Sequence, residues 1–146
     1  MIRRVLHPTD FSRASGAAFA RALAEARASR ASLLIVHALA PVIPMAGEGY
    51  VSPAVYEQMS DAGRAWAQKQ MNRLLARART ARVRARGTLL EGVAHEAIVR
   101  AAKRQHADLI VIGTHGRTGV ARFFLGSVAA RVTATAPCPV LTVRGR

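Results

Sequence analysis

Cysteine is almost absent: Cys138 stands alone in 146 residues. A single thiol closes no internal disulfide, so a disulfide-stapled secreted scaffold is excluded. Aromatics make up 5%, too few to build the stacking surface that single-stranded nucleic acid needs. The core must come from Val, Leu, Ile and Ala. No apolar run reaches the about 20 residues of a membrane span; the longest, Leu33 to Met45, is broken by His37, Pro41 and Pro44. The opening Met1-Ile2-Arg3-Arg4-Val5-Leu6-His7-Pro8 lacks the apolar stretch of a secretory signal, so the expectation is a cytoplasmic protein without a membrane partner. No His/Cys group has zinc-site spacing, and the scattered Ser, His and Asp residues make no triad, so no residue is assigned as catalytic and no metal ligand is named.

Acids are scarce too. Asp and Glu total 8 against 22 Lys and Arg, a net charge of +14. All the cations except Lys69 and Lys103 are arginine, and Ala is abundant, as a GC-rich coding sequence would produce. The charge therefore reads first as composition, with a nucleic-acid or other polyanion partner as the alternative. The run Arg73, Arg77, Arg79, Arg82, Arg84, Arg86 contains no acid. It fits a polyanion grip or, more ordinarily, a solvated helix face.

What is present is regular alternation along one domain, residues 1–146. Strands are expected at Ile2–His7 (ending at Pro8), Ser32–Leu39, Val83–Leu90 (more polar, hence an edge), Asp108–Ile112 and Pro139–Val143. Helices are expected at Ser12–Ser29, Val55–Arg79, Val93–Gln105 and Ser127–Thr135. On the second helix Met59, Ala62, Trp66, Met71, Leu74 and Ala78 form an apolar stripe, opposite Arg64, Lys69, Arg73 and Arg77. Pro41–Pro53 reads as loop. Strands joined by helix-length crossovers predict an α/β fold: a parallel sheet with helices on both faces.

The segment Gly113-Thr114-His115-Gly116-Arg117-Thr118-Gly119, continuing to Gly126-Ser127, leaves a buried strand and opens a helix. Glycines there allow positive φ and close approach to a ligand, and Ser127 is expected to cap the helix. Unsatisfied N–H groups and the helix dipole favour a phosphate. A P-loop and a G-x-G-x-x-G fingerprint are both absent. Arg117 either clamps a phosphate or is a solvated cation. Asp10 either binds ligand or caps the first helix. His7 and His37 read as structural, and Cys138 as a packed, unreactive thiol.

The spacing Gly113, two residues, Gly116, nine residues, Gly126-Ser127 resembles the nucleotide-binding signature of the universal stress protein family. His7-Pro8-Thr9-Asp10-Phe11-Ser12, Leu34–Ala38, Asp108–Gly113 and Cys138–Val143 resemble that family's strands, so the likeness covers nearly the whole chain. It implies five parallel strands in the order 3-2-1-4-5. The crevice at the point where the chain reverses across the sheet, between strands 1 and 4, is then the expected ligand site. It further implies that Pro8, Thr9 and Asp10 line an adenosine pocket, that Ala38 offers backbone groups to adenine, and that Gly113 packs on ribose. Gly116, Gly126, Ser127 and Val128 would hold phosphates. The ligand implied is ATP, or ADP or AMP, with Mg²⁺ or Mn²⁺ carried by the nucleotide. The role implied is that of a nucleotide-dependent stress-response regulator. A homodimer pairing the 139–143 edge strands is implied as well. A slow ATPase or phosphotransferase and a basic nucleic-acid-binding protein are the alternatives.

Overall fold

A computed structural model describes residues 1–42, 49, 51–115 and 125–145. The elements run β1 (Arg4–Pro8), α1 (Arg13–Ala28), β2 (Ser32–Ala38), α2 (Pro53–Thr80), β3 (Ala85–Leu90), α3 (Ala94–Arg104), β4 (Leu109–Gly113), α4 (Ser127–Thr135) and β5 (Val140–Val143). The sheet is parallel throughout, in the order β3-β2-β1-β4-β5, as expected. Pro8 belongs to β1 and pairs with Val36, one residue beyond the predicted end. A proline at the last position of a strand gives up only an N–H that the ladder no longer needs.

Strand residues alternate between two cores. Val5, Leu33, Ile35 and Val111 face α1 and α2 and pack with Phe19, Ala22 and Met71. Leu6, Leu34, Val36, Ile110 and Ile112 face α3 and α4 and pack with Ile98, Ala101 and Val132. Both faces are covered, so β2 and β4 carry unbroken aliphatic runs, and β1 is buried from Val5 to Pro8. β3 lies at an edge and shows a half-exposed, alternating pattern.

α2 departs from its predicted stripe. Ala67, Met71 and Ala78 are buried, whereas Met59 is 54% and Trp66 43% exposed. The helix packs through its second half: a Cβ on Gly87 of β3 would stand 2.5 Å from Met71 Cγ. Its first half, up to Trp66, is mostly exposed, so amphipathic spacing there marks residues that the described fold leaves uncovered. Arg77 is exposed, as expected, and its guanidinium also lies 4.8 Å from the Phe19 ring centre.

α1, α2 and α3 end alike. Arg30, Arg82 and His106 have φ of 55°, 58° and 50°. The next amides reach back, Ala31 to the Ala26 carbonyl at 2.8 Å, Val83 to Ala78 at 3.0 Å and Ala107 to Ala102 at 2.9 Å. These are glycine-type helix ends built without glycine. The left-handed backbone costs a residue with a Cβ about 1–2 kcal/mol each time.

Candidate functional site

At the carboxyl ends of the strands lies a crevice of about 310 Å³, near the lower bound for small-molecule sites, about 300 Å³. Every predicted site residue among those described lines it: Pro8, Thr9, Asp10, Ala38, Gly113, Gly126, Ser127 and Val128. Gly116 and Arg117 lie outside the described residues. β1 and β4 are neighbours whose chains leave in opposite directions across the sheet, which opens a gap between their ends.

The floor is apolar, formed by Val36, Ile98, Ile112 and Ala129, all buried. The segment after β1 is held by its own polar groups. Thr9 is buried; its Oγ1 lies 3.1 Å from Ser15 Oγ and accepts the Phe11 N–H at 3.0 Å. Asp10 Oδ1 accepts the Ser12 N–H at 2.9 Å. The cap of α1 is Ser12, which accepts from Ser15 N at 3.2 Å, so Asp10 shapes the turn rather than the helix end. A carboxylate keeps further acceptor capacity beyond one such bond.

Ala38 ends β2 beyond the last residue of β1. The Val36 carbonyl accepts from Thr9 N, and Leu39 N donates to the Leu90 carbonyl. Alternate residues of a strand direct their amides to opposite sides. Ala38 therefore presents its N–H and C=O on the β1 side, past the final Pro8–Val36 pair.

The helix ends differ in a way that bears on charge. Serine side chains cap α1 and α2. α3 and α4 start without a side-chain cap, at Val93 and Gly126, and their first residues Ala94 and Ser127 line the crevice. Two N-termini without side-chain caps thus face one cavity; Glu96 in the first turn of α3 offsets part of the positive end there, so the pull on anions is strongest at α4. The expected Ser127 cap is corrected: Gly126 takes that position and Ser127 is the first helical residue, which leaves its hydroxyl beside the cavity.

The glycines act by close approach. Neither Gly113 nor Gly126 has positive φ; among the described glycines only Gly49 and Gly92 do. Gly126 donates its N–H to the Thr114 carbonyl, and a Cβ there would stand 2.8 Å from that oxygen. Gly113 would meet nothing nearer than 3.6 Å, so packing alone does not demand glycine at that position.

The sequence did not single out Ser15 or Thr114, and it read His37 as structural. His37 lines the cavity and donates its Nδ1 proton to the Thr9 carbonyl at 2.8 Å. Its ring lies 4.5 Å from the Phe11 ring, which meets Trp66 edge-on at 5.7 Å. Periodicity gave no signal for this cluster, because its members come from a turn, a strand end and a mid-helix position. His7 is fully buried and bonds Val111 O at 2.9 Å through Nδ1. Burial lowers its pKa to about 4, and its Nε2 has no partner among the described residues. Cys138 packs half-buried against the α3/α4 core, and burial raises its thiol pKa, consistent with low reactivity. Among the described residues no three His, Cys, Asp or Glu side chains gather as a metal site, and no helix is long and apolar enough to cross a membrane.

The universal stress protein family model matches residues 1–144. A universal stress protein of Thermus aquaticus, from the region 3′ of a sulfhydrylase gene, is 41% identical over 144 residues, covering 99% of this chain and 100% of the relative. The solved universal stress protein UspA of Lactobacillus plantarum superposes with a TM-score of 0.84 at 28% identity, covering 98% of each chain. A universal stress protein crystallised in complex with cAMP superposes with a TM-score of 0.74 at 28% identity, covering 99% of each chain.

Proposed function

Taking as premise that this chain belongs to the universal stress protein family, we propose that its crevice binds ATP or a related adenine nucleotide and that occupancy regulates a stress response. The observation that carries the reading is the convergence, at one gap in the sheet, of two helix N-termini without side-chain caps and an apolar floor. Such a site suits a flat apolar base with an anionic tail. The family neighbour in complex with cAMP supports the same ligand class.

In this reading adenine lies over Val36, Ile98 and Ile112 and meets the Ala38 amide group. Asp10 accepts from the nucleoside, and Gly113 admits the ribose at close range. The phosphates take the N–H groups of Ser127 and Val128 and the Ser127 hydroxyl, joined by Gly116 and Arg117. Mg²⁺ or Mn²⁺ travels with the phosphates and keeps several waters. Bound nucleotide stabilises the folded chain by mass action.

β5 ends the sheet, with Val140, Leu141 and Val143 half-buried. An open apolar edge invites pairing, and a homodimer through residues 139–143 is part of the proposal. Isothermal titration with ATP, ADP, AMP, cAMP and GTP tests the binding reading. Saturable heat with the adenine compounds, reduced by Asp10→Ala, is expected; equal response to GTP, or none to any purine, overturns it.

A further inference from the structure

The amino ends of the strands carry a second feature, roughly 17 Å from the crevice for strands of about five residues. Two concave grooves adjoin there. One, of about 450 Å³, is lined by Arg4, Arg84, Arg86 and Arg104, and the other, of about 550 Å³, by Arg79, Arg82 and Arg84. All six side chains are exposed. They come from β1, the end of α2, the turn between α2 and β3, β3 and the end of α3, so the fold gathers cations that only partly neighbour one another in sequence. Of the linear run, Arg77 is taken by Phe19 and Arg73 reaches Gln70; the rest turn to this end.

Acids do little to neutralise the patch. Asp10, Glu91 and Glu96 sit at the opposite end, after strands or at the start of α3. Glu25 pairs with Arg21 at 2.5 Å. Asp108 spends one carboxylate oxygen on the N–H groups of Arg3 and Arg4, at 2.8 and 2.9 Å. Among the described residues none of the six guanidinium groups is in an ion pair. The C-termini of α1, α2 and α3 contribute partial negative charge here, which explains a cation or two but not six.

The helix ends add an independent observation. Arg82 occupies a left-handed position where glycine would be less strained, and Arg30 and His106 do the same at this end of the sheet. Two arginines, Arg30 and Arg82, thus stand at left-handed turns despite a conformational cost.

We propose that this arginine-lined face binds the phosphate backbone of double-stranded nucleic acid, without reading its bases. Guanidinium forks suit phosphate oxygens. Among the described exposed apolar residues, Met1 stands at this end, ahead of β1, while Val42, Val51, Val55, Val93, Leu125 and Val128 belong to loops and helix starts at the opposite end; one such side chain does not make the broad apolar face of a membrane-inserting surface. No Phe, Tyr or Trp lines either groove, and His106 is the one ring in the first, which disfavours single strands.

The test uses fluorescence anisotropy of a labelled 20-base-pair duplex with the full chain. Six neutralised phosphates give a slope of about −5 in log K against log salt, roughly a thousandfold loss between 50 and 200 mM. Arg82→Gly/Arg84→Gln/Arg86→Gln should roughly halve the slope. Arg82→Gly alone should lower it by about 1 while the melting temperature holds or rises, because glycine relieves the left-handed strain. Saturating ATP should leave duplex affinity unchanged, which separates this face from the crevice. Duplex affinity indifferent to these substitutions overturns the proposal. So does displacement by ATP, or arginine-dependent flotation with phosphatidylglycerol vesicles in place of duplex binding.

Discussion

His7 couples the acid stability of the chain to the geometry of the crevice. It sits on β1 and bonds the Val111 carbonyl of β4 at 2.9 Å, tying together the two strands whose ends frame the gap. A carbonyl only accepts, so Nδ1 carries the proton and Nε2 is bare. Protonating Nε2 would place a charge in a fully buried position beside Phe19, and burial accordingly lowers the pKa from 6.5 to about 4. Below pH 6.5 the unfolded chain takes up a proton that the folded chain refuses until about pH 4. This contribution to stability is complete above pH 6.5, shrinks as pH falls through that window and levels off beneath it. At pH 4.5 the loss comes to roughly 2–3 kcal/mol, since each pH unit of displacement is worth a little over 1 kcal/mol. Urea unfolding at pH 7.5 and 4.5 measures it directly. His7→Gln keeps an N–H donor and removes the titration, so the stability difference between the two pH values should shrink by roughly 2–3 kcal/mol. An undiminished difference in the variant would refute the assignment of a neutral, buried imidazole.

Four further substitutions separate structural from ligand-facing groups. Ser12→Ala removes the α1 cap and should cost about 1 kcal/mol in chemical denaturation, whereas Ser127→Ala, whose hydroxyl caps nothing, should leave stability within about 0.5 kcal/mol and weaken nucleotide binding about tenfold by calorimetry, the worth of a charge-assisted hydrogen bond. Gly126→Ala drives a Cβ to 2.8 Å from the Thr114 oxygen; it should cost about 1 kcal/mol of stability through the displaced backbone bond and at least tenfold in affinity. Gly113→Ala, with 3.6 Å of clearance, should keep its melting temperature and lose affinity only, an outcome that differential scanning fluorimetry and calorimetry together resolve.

The fold was legible because β1, β2 and β4 are buried on both faces and their aliphatic runs stand out from the Ala-rich and Arg-rich helices. α4 falls at its predicted bounds, Ser127–Thr135. Element type was legible for α2 but burial was not: helical periodicity marks Met59 and Trp66 equally with Met71, and only the extent of the sheet decides which of them is covered. The three left-handed turns were invisible, because the usual signal is glycine and these carry Arg30, Arg82 and His106. At the site, spacing identified which segments meet. It misplaced the helix cap by one residue, a distinction set by the Gly126–Thr114 bond. The Phe11, His37 and Trp66 cluster arises from tertiary proximity alone.

The central claim is that a nucleotide sits in the gap between β1 and β4. An amide-resolved NMR titration with ATP tests it most directly. Saturable shifts are expected at Thr9, Ala38, Gly113, Ser127 and Val128, with residues 79–86 unmoved. Shifts confined to the arginine grooves, or none at saturating ATP, would contradict it.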